Sequence, residues 1–95
     1  MKTEKELLDL VLKRCGYEKT VLVDQFWKKG IQLKISGPRN EGDDRFSFLT
    51  MHRDTEDECV SDVLGWLFSR RKDDHVLPSA LYSNSKEELE LKLEA

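Results

Sequence analysis

Ninety-five residues carrying 16 Lys+Arg against 19 Asp+Glu, with 38% apolar residues and a formal charge of −3, describe one small domain. A chain of this size buries only about 60% of its unfolded surface, which suffices for one core and excludes a deep two-domain substrate cleft. No run approaches the roughly 20 apolar residues of a membrane span, and Met1-Lys2-Thr3-Glu4 lacks the apolar stretch of a signal peptide, so the sequence reads as cytosolic.

Thr3-x-x-Glu6 has the form of a capping box, and Leu7, Leu8, Val11, Leu12 and Cys15 recur at helical spacing before Gly16, predicting a helix over 4–15. From Thr20 to Lys29 two patterns compete. Val21 and Val23 favour a strand, while Leu22, Val23, Phe26 and Trp27 also make a helical set ending at Gly30; extended structure is the expectation. Ile31, Leu33 and Ile35 alternate with Gln32, Lys34 and Ser36, the period of a half-buried strand. The turn-forming run 37–44 then reverses the chain. A third strand follows over 45–52, where Phe46 and Phe48 share one face and Leu49 and Met51 the other, so both faces are covered or a bulge shifts the register.

Thr55-x-x-Glu58 repeats the capping-box form, with Asp54, Glu56 and Asp57 at the positive end of the helix dipole. Cys59, Val60, Val63, Leu64, Trp66, Leu67 and Phe68 make a wide apolar face, predicting a helix over 56–72 that closes on Arg70, Arg71 and Lys72. A loop runs through Pro78, and Ser85-x-x-Glu88 introduces a last short segment whose Glu, Leu and Lys content favours helix. The expectation is a single α+β domain over 1–95, with its core in about 4–76 and a C-terminal extension over 77–95. A three-stranded antiparallel sheet packs one face against two helices, with Val11, Leu33, Ile35, Phe48, Val63 and Leu67 as core.

Charge is unevenly laid out. Residues 1–40 carry nine Lys/Arg and five Asp/Glu, whereas residues 41–95 carry seven and fourteen. Between Glu41 and Asp62, eight carboxylates face only Arg45 and Arg53. Such a field repels nucleic-acid phosphates and favours a partner with a basic surface, chiefly through encounter rate. Trp66 and Phe68 flank Leu67 and cannot all face one narrow core, and Phe26-Trp27 poses the same problem, so one Trp is available to anchor an interface.

Catalytic and cofactor chemistry find little foothold. His52, Cys59 and His75 match no metal-ligand spacing, and Cys15 and Cys59 lie in apolar stripes, as structural thiols do and reactive ones do not. One disulfide between them is disfavoured without a secretion signal. Asp43-Asp44 sits in a turn where water keeps both carboxylates ionised, and Gly37 and Gly42 flank a proline-containing acidic turn, not a phosphate cradle. The reading is therefore no enzyme, no cofactor and no metal. A helix–three-strand–helix order is shared with double-stranded-RNA-binding domains, but here the second helix begins acidic.

Thr20-Val21-Leu22-Val23-Asp24-Gln25-Phe26-Trp27, then Ile31-Gln32-Leu33-Lys34-Ile35, a polar turn, His52-x-Asp54 and Val60 to Phe68 carry a likeness of residue class and order over about residues 20–74. In these features the chain resembles the small bacteriophage inhibitors of the host dGTP triphosphohydrolase. The resemblance implies a phage-encoded protein without catalysis of its own that acts in the host cytoplasm by binding a larger host enzyme, and it does not assign contact residues. Phage proteins that block defence nucleases share the same size and charge. The partner-binding residues expected from the sequence itself are Glu41, Asp43, Asp44, Asp54, Glu56, Asp57, Trp27 and Trp66. One rival is a nucleic-acid-binding module using Lys28, Lys29, Arg70 and Arg71. Another is an immunity protein or antitoxin neutralising a basic toxin.

Overall fold

Thr3 opens the first helix as its sequence requires. In this computed structural model, which describes residues 2–38, 45–71 and 76–94 and only the backbone at 38 and 45–48, α1 spans Glu4–Cys15. The Thr3 hydroxyl accepts from the Glu6 N–H at 3.1 Å and the Glu6 carboxylate accepts from the Thr3 N–H at 3.2 Å, a complete capping box. Those bonds to Thr3 hold the Glu6 carboxyl below its ordinary range. At the other end Gly16 adopts a left-handed φ of 77° that closes the helix.

Three strands follow, β1 (Glu18–Gln25), β2 (Lys28–Pro38) and β3 (Arg45–Arg53), forming one antiparallel sheet in the order β1-β2-β3. The stretch 20–29 is extended, as expected, but it is not one element: the chain turns at Phe26-Trp27, and Lys28 to Gly30 begin the next strand. Register explains which side chains enter the core. The rows Val21–Leu33–Met51 and Lys19–Ile35–Leu49 share the face beneath the helices, and Thr20–Lys34–Thr50 and Leu22–Gln32–His52 share the other. The third strand's pairing carries a bulge, one of the two alternatives its sequence left open, since pairing steps from Ile35 with Leu49 to Ser36 with Ser47. The expected reversal over 39–44 and the core assignment of Phe48 fall outside the described residues and side chains.

The second helix, α2, spans Glu56–Phe68 and stops short of the expected residue 72. Ser69 explains the early end. Its hydroxyl donates to the Trp66 carbonyl at 2.8 Å, a local bond that competes with continued helix, and Arg70 Nε donates to the same carbonyl at 3.1 Å. Arg70 and Arg71 thus lie past the helix instead of in its last turn. At the start, the Thr55 hydroxyl accepts from the Glu58 N–H at 3.2 Å, but the Glu58 carboxylate accepts from the Thr55 hydroxyl at 3.0 Å and not from a backbone N–H, so only half of a capping box forms. A 3-10 turn at Ser79–Leu81, unforeseen in the sequence, leads to α3 (Lys86–Glu94), the helix expected there.

Val11, Leu33, Ile35, Val63 and Leu67 are buried as expected, joined by Leu7, Leu8, Leu12, Cys59, Val60 and Leu64. The segment read as an extension beyond residue 76 contributes Leu77, Leu81, Tyr82 and Leu89 to the same cluster. Polar bonds tie it down: the Tyr82 hydroxyl accepts from the N–H groups of Val76 and Leu77, both at 3.0 Å, and the Tyr17 hydroxyl donates to the Val76 carbonyl. Among the described residues no helix is long and apolar enough to cross a membrane.

Candidate functional site

Two-residue hairpin turns ordinarily place positive φ angles, and hence Asn, Asp or Gly, at their centre. The β1–β2 hairpin puts Phe26 and Trp27 there instead. The positive φ angles are moved outward, to 44° at Asp24 and 102° at Gly30. Pairing steps from Val23 with Ile31 to Gln25 with Lys28, so two residues of β2 oppose Asp24 in a bulge that accommodates the twist. The Asp24 carboxylate accepts from the Gly30 N–H at 2.9 Å, and the Gln25 amide donates to the Val23 carbonyl at 3.3 Å. Both polar side chains below the tip therefore fold back onto backbone.

What remains outward is apolar and cationic. Phe26 is 100% exposed, Trp27 74% and Val23 59%, and exposed Lys28 and Lys29 follow. A single exposed hydrophobic side chain is ordinary. Three within five consecutive positions, on a tip whose own polar groups are turned inward, form a patch of the kind that marks an interaction site.

Acidic residues stand behind this tip. Arg53, the end of β3, pairs with Ile31, three residues short of Lys28 and thus roughly 10 Å back along the strand. Asp54 and Asp57 follow it and are exposed, whereas Glu56 is half-buried and paired with Lys5 at 3.3 Å. That pair draws the starts of α1 and α2 together around a shallow groove lined by Thr3, Glu4, Lys5, Asp57 and Val60. One end of the molecule therefore gathers Trp27, Asp54, Glu56 and Asp57.

Of the other expected site residues, Glu41, Asp43 and Asp44 lie outside the described residues, and Trp66 does not join this end. Trp66 belongs to the far end of α2, roughly 16 Å along the axis from Thr55 at about 1.5 Å per residue. It is half-buried, with the Arg70 guanidinium 4.3 Å from its ring centre, a cation–π contact that covers the indole. Lys28 and Lys29 begin β2, whereas Arg70 and Arg71 lie past the end of α2.

Neither thiol is poised as a nucleophile. Cys15 is half-buried, and desolvation pushes its thiol up to about 11. Cys59 is buried, its thiol 3.5 Å from the Ile31 carbonyl and 3.8 Å from that of Met51, and desolvation raises its pKa as well. A rise from 9.0 to about 11 leaves roughly 100-fold less thiolate near neutral pH. Alkylation of the folded chain by iodoacetamide at pH 8 will accordingly run about 100-fold slower at Cys15 than in urea, followed by mass spectrometry; equal rates would refute this. Among the described residues no group of three or more His, Cys, Asp or Glu side chains could hold a metal ion.

Comparison with protein-family models, curated proteins and solved structures found no match for the chain. The sequence reading named Trp27 but placed the weight on the acidic stretch, and it missed the tip as a unit. The signal was available in Asp24 and Gly30, two residues tolerant of positive φ that straddle Phe26-Trp27.

Proposed function

We propose that this chain is a non-catalytic protein-binding domain that blocks a larger enzyme of nucleotide or nucleic-acid metabolism, in the manner of a phage-encoded inhibitor. The observation that carries the reading is the braced Phe26-Trp27 tip, which among the described residues leaves Phe26 fully and Trp27 largely exposed. Aromatic side chains supply large contact area at little entropic cost, and Trp is enriched among the few residues that dominate interface energies. The acidic helix starts set back from the tip act at longer range, steering the domain toward a basic surface. An immunity protein or antitoxin would use the same surface, and its genomic neighbourhood separates the two.

The test is affinity capture from a bacterial lysate, with quantitative mass spectrometry and an assay of the captured enzyme. The Phe26→Ser/Trp27→Ser variant keeps the fold, because neither side chain is packed, and it will weaken binding by at least about 100-fold, the loss of two anchors worth about 1.5 kcal/mol or more each. Reversal of Asp54 and Asp57 to lysine will slow association at low salt and leave dissociation nearly unchanged. Capture and inhibition that survive loss of both aromatic side chains would overturn the reading.

A further inference from the structure

The helical layer carries a second unpartnered surface, remote from the tip. Arg14 Nη2 donates to the Leu93 carbonyl at 3.1 Å and so fixes the ends of α1 and α3 side by side. Beside this bond runs an open groove of ≈ 580 Å³ lined by Lys2, Leu10, Lys13, Arg14, Leu93 and Glu94. Its α1 wall is cationic with one exposed leucine, Leu10 at 38%. Glu6 lies on the same side of α1, but its carboxylate is committed to the Thr3 cap.

The neighbouring α3 presents the opposite chemistry. Glu87, Leu91 and Glu94 fall at i, i+4 and i+7, one outward stripe in which Leu91 is 69% exposed between two carboxylates. A basic stripe with an exposed leucine thus lies directly beside an acidic stripe with an exposed leucine. An isologous two-fold interface demands that a surface be complementary to itself, and adjacent complementary halves meet that demand, because a two-fold axis between them sets each on its opposite in the second copy.

We propose that the α1–α3 face is the interface of a weak, salt-sensitive homodimer, in which Leu91 of each copy enters the Leu10-floored groove of the other. Glu87 and Glu94 then meet Lys2, Lys13 and Arg14 across the axis. Two helices about 10 Å apart and up to about 18 Å long offer far less than the ~800 Å² per partner of a standard interface. The expected dissociation constant is accordingly on the order of 100 µM, with rapid exchange. Among the described residues, Leu10 and Leu91 account for the exposed large hydrophobic side chains that the hairpin tip does not contain.

Sedimentation equilibrium of the 95-residue chain from about 5 to 500 µM at low and high salt tests this. The weight-average mass will rise from 11.1 kDa toward twice that value, and less so at high salt. Leu91→Glu will hold the chain monomeric. Lys13→Glu will weaken the dimer about tenfold, and adding Glu87→Lys will restore it. A single monomeric species at the highest concentration would overturn the proposal, as would a dimer indifferent to Leu91→Glu or one abolished by Phe26→Ser/Trp27→Ser. None of these outcomes bears on enzyme binding by the tip, which the capture experiment reads separately.

Discussion

Gly30→Ala will destabilise the chain by about 3 kcal/mol or more and will disorder the hairpin tip before the rest of the fold is lost. Two independent faults produce this. At a φ of 102° an L side chain is strained by about 1–3 kcal/mol. The new Cβ would also stand 2.8 Å from the Arg53 carbonyl oxygen and 3.3 Å from His52 Cε1. The first neighbour is backbone and cannot rotate away. Relief requires that β2 leave β3 at this point, and the Asp24–Gly30 bond that braces Phe26 and Trp27 goes with it. Gly16→Ala is the control: its φ of 77° is also positive, but a Cβ there meets nothing within 4 Å, so only the conformational cost of about 1 kcal/mol remains. Urea melts of the two variants measure the difference. Equal midpoints would mean that the close approach of β3 to Gly30 does not constrain the hairpin.

That glycine also shows where the sequence was readable and where it was not. Local chemistry announced itself: Thr3-x-x-Glu6 and Gly16 bracket α1 to the residue, and the alternation at Ile31, Leu33 and Ile35 marks β2. These signals need only a few neighbouring side chains. The α+β arrangement with its three-stranded antiparallel sheet followed from them. The turn at Phe26-Trp27 was hidden because its positive φ angles belong to Asp24 and Gly30, six residues apart, and aromatic residues at the tip imitate a helical face. The end of α2 was hidden because the Ser69 hydroxyl and the Arg70 side chain both bond back to the Trp66 carbonyl, contacts that helical periodicity does not announce. At the candidate site, Trp27, Asp54, Glu56 and Asp57 were legible singly. Their common location depends on β3 ending beside the hairpin, a consequence of register that no local pattern encodes.

The C-terminal segment is the plainest case, and it sets the last expectation. Leu89, Leu91 and Leu93 alternate in sequence and look equivalent, yet α3 buries Leu89 to 2% and leaves Leu91 69% exposed. Leu89→Ala will therefore cost about 3–4 kcal/mol, since it removes a buried side chain and leaves a cavity in a core shared with α1 and the Leu77–Tyr82 segment. Leu91→Ala, two residues on, will change monomer stability by less than about 0.5 kcal/mol. Tyr82→Phe will fall between them at about 1–3 kcal/mol, because its hydroxyl is the acceptor for the N–H groups of Val76 and Leu77. Melts should be run near 10 µM, where a ~100 µM dimer contributes nothing. If Leu89→Ala unfolds no more readily than Leu91→Ala, residues 77–94 do not belong to the cooperative core. The Tyr17–Val76 and Arg14–Leu93 bonds would then be the main polar ties between that segment and the sheet-and-helix body.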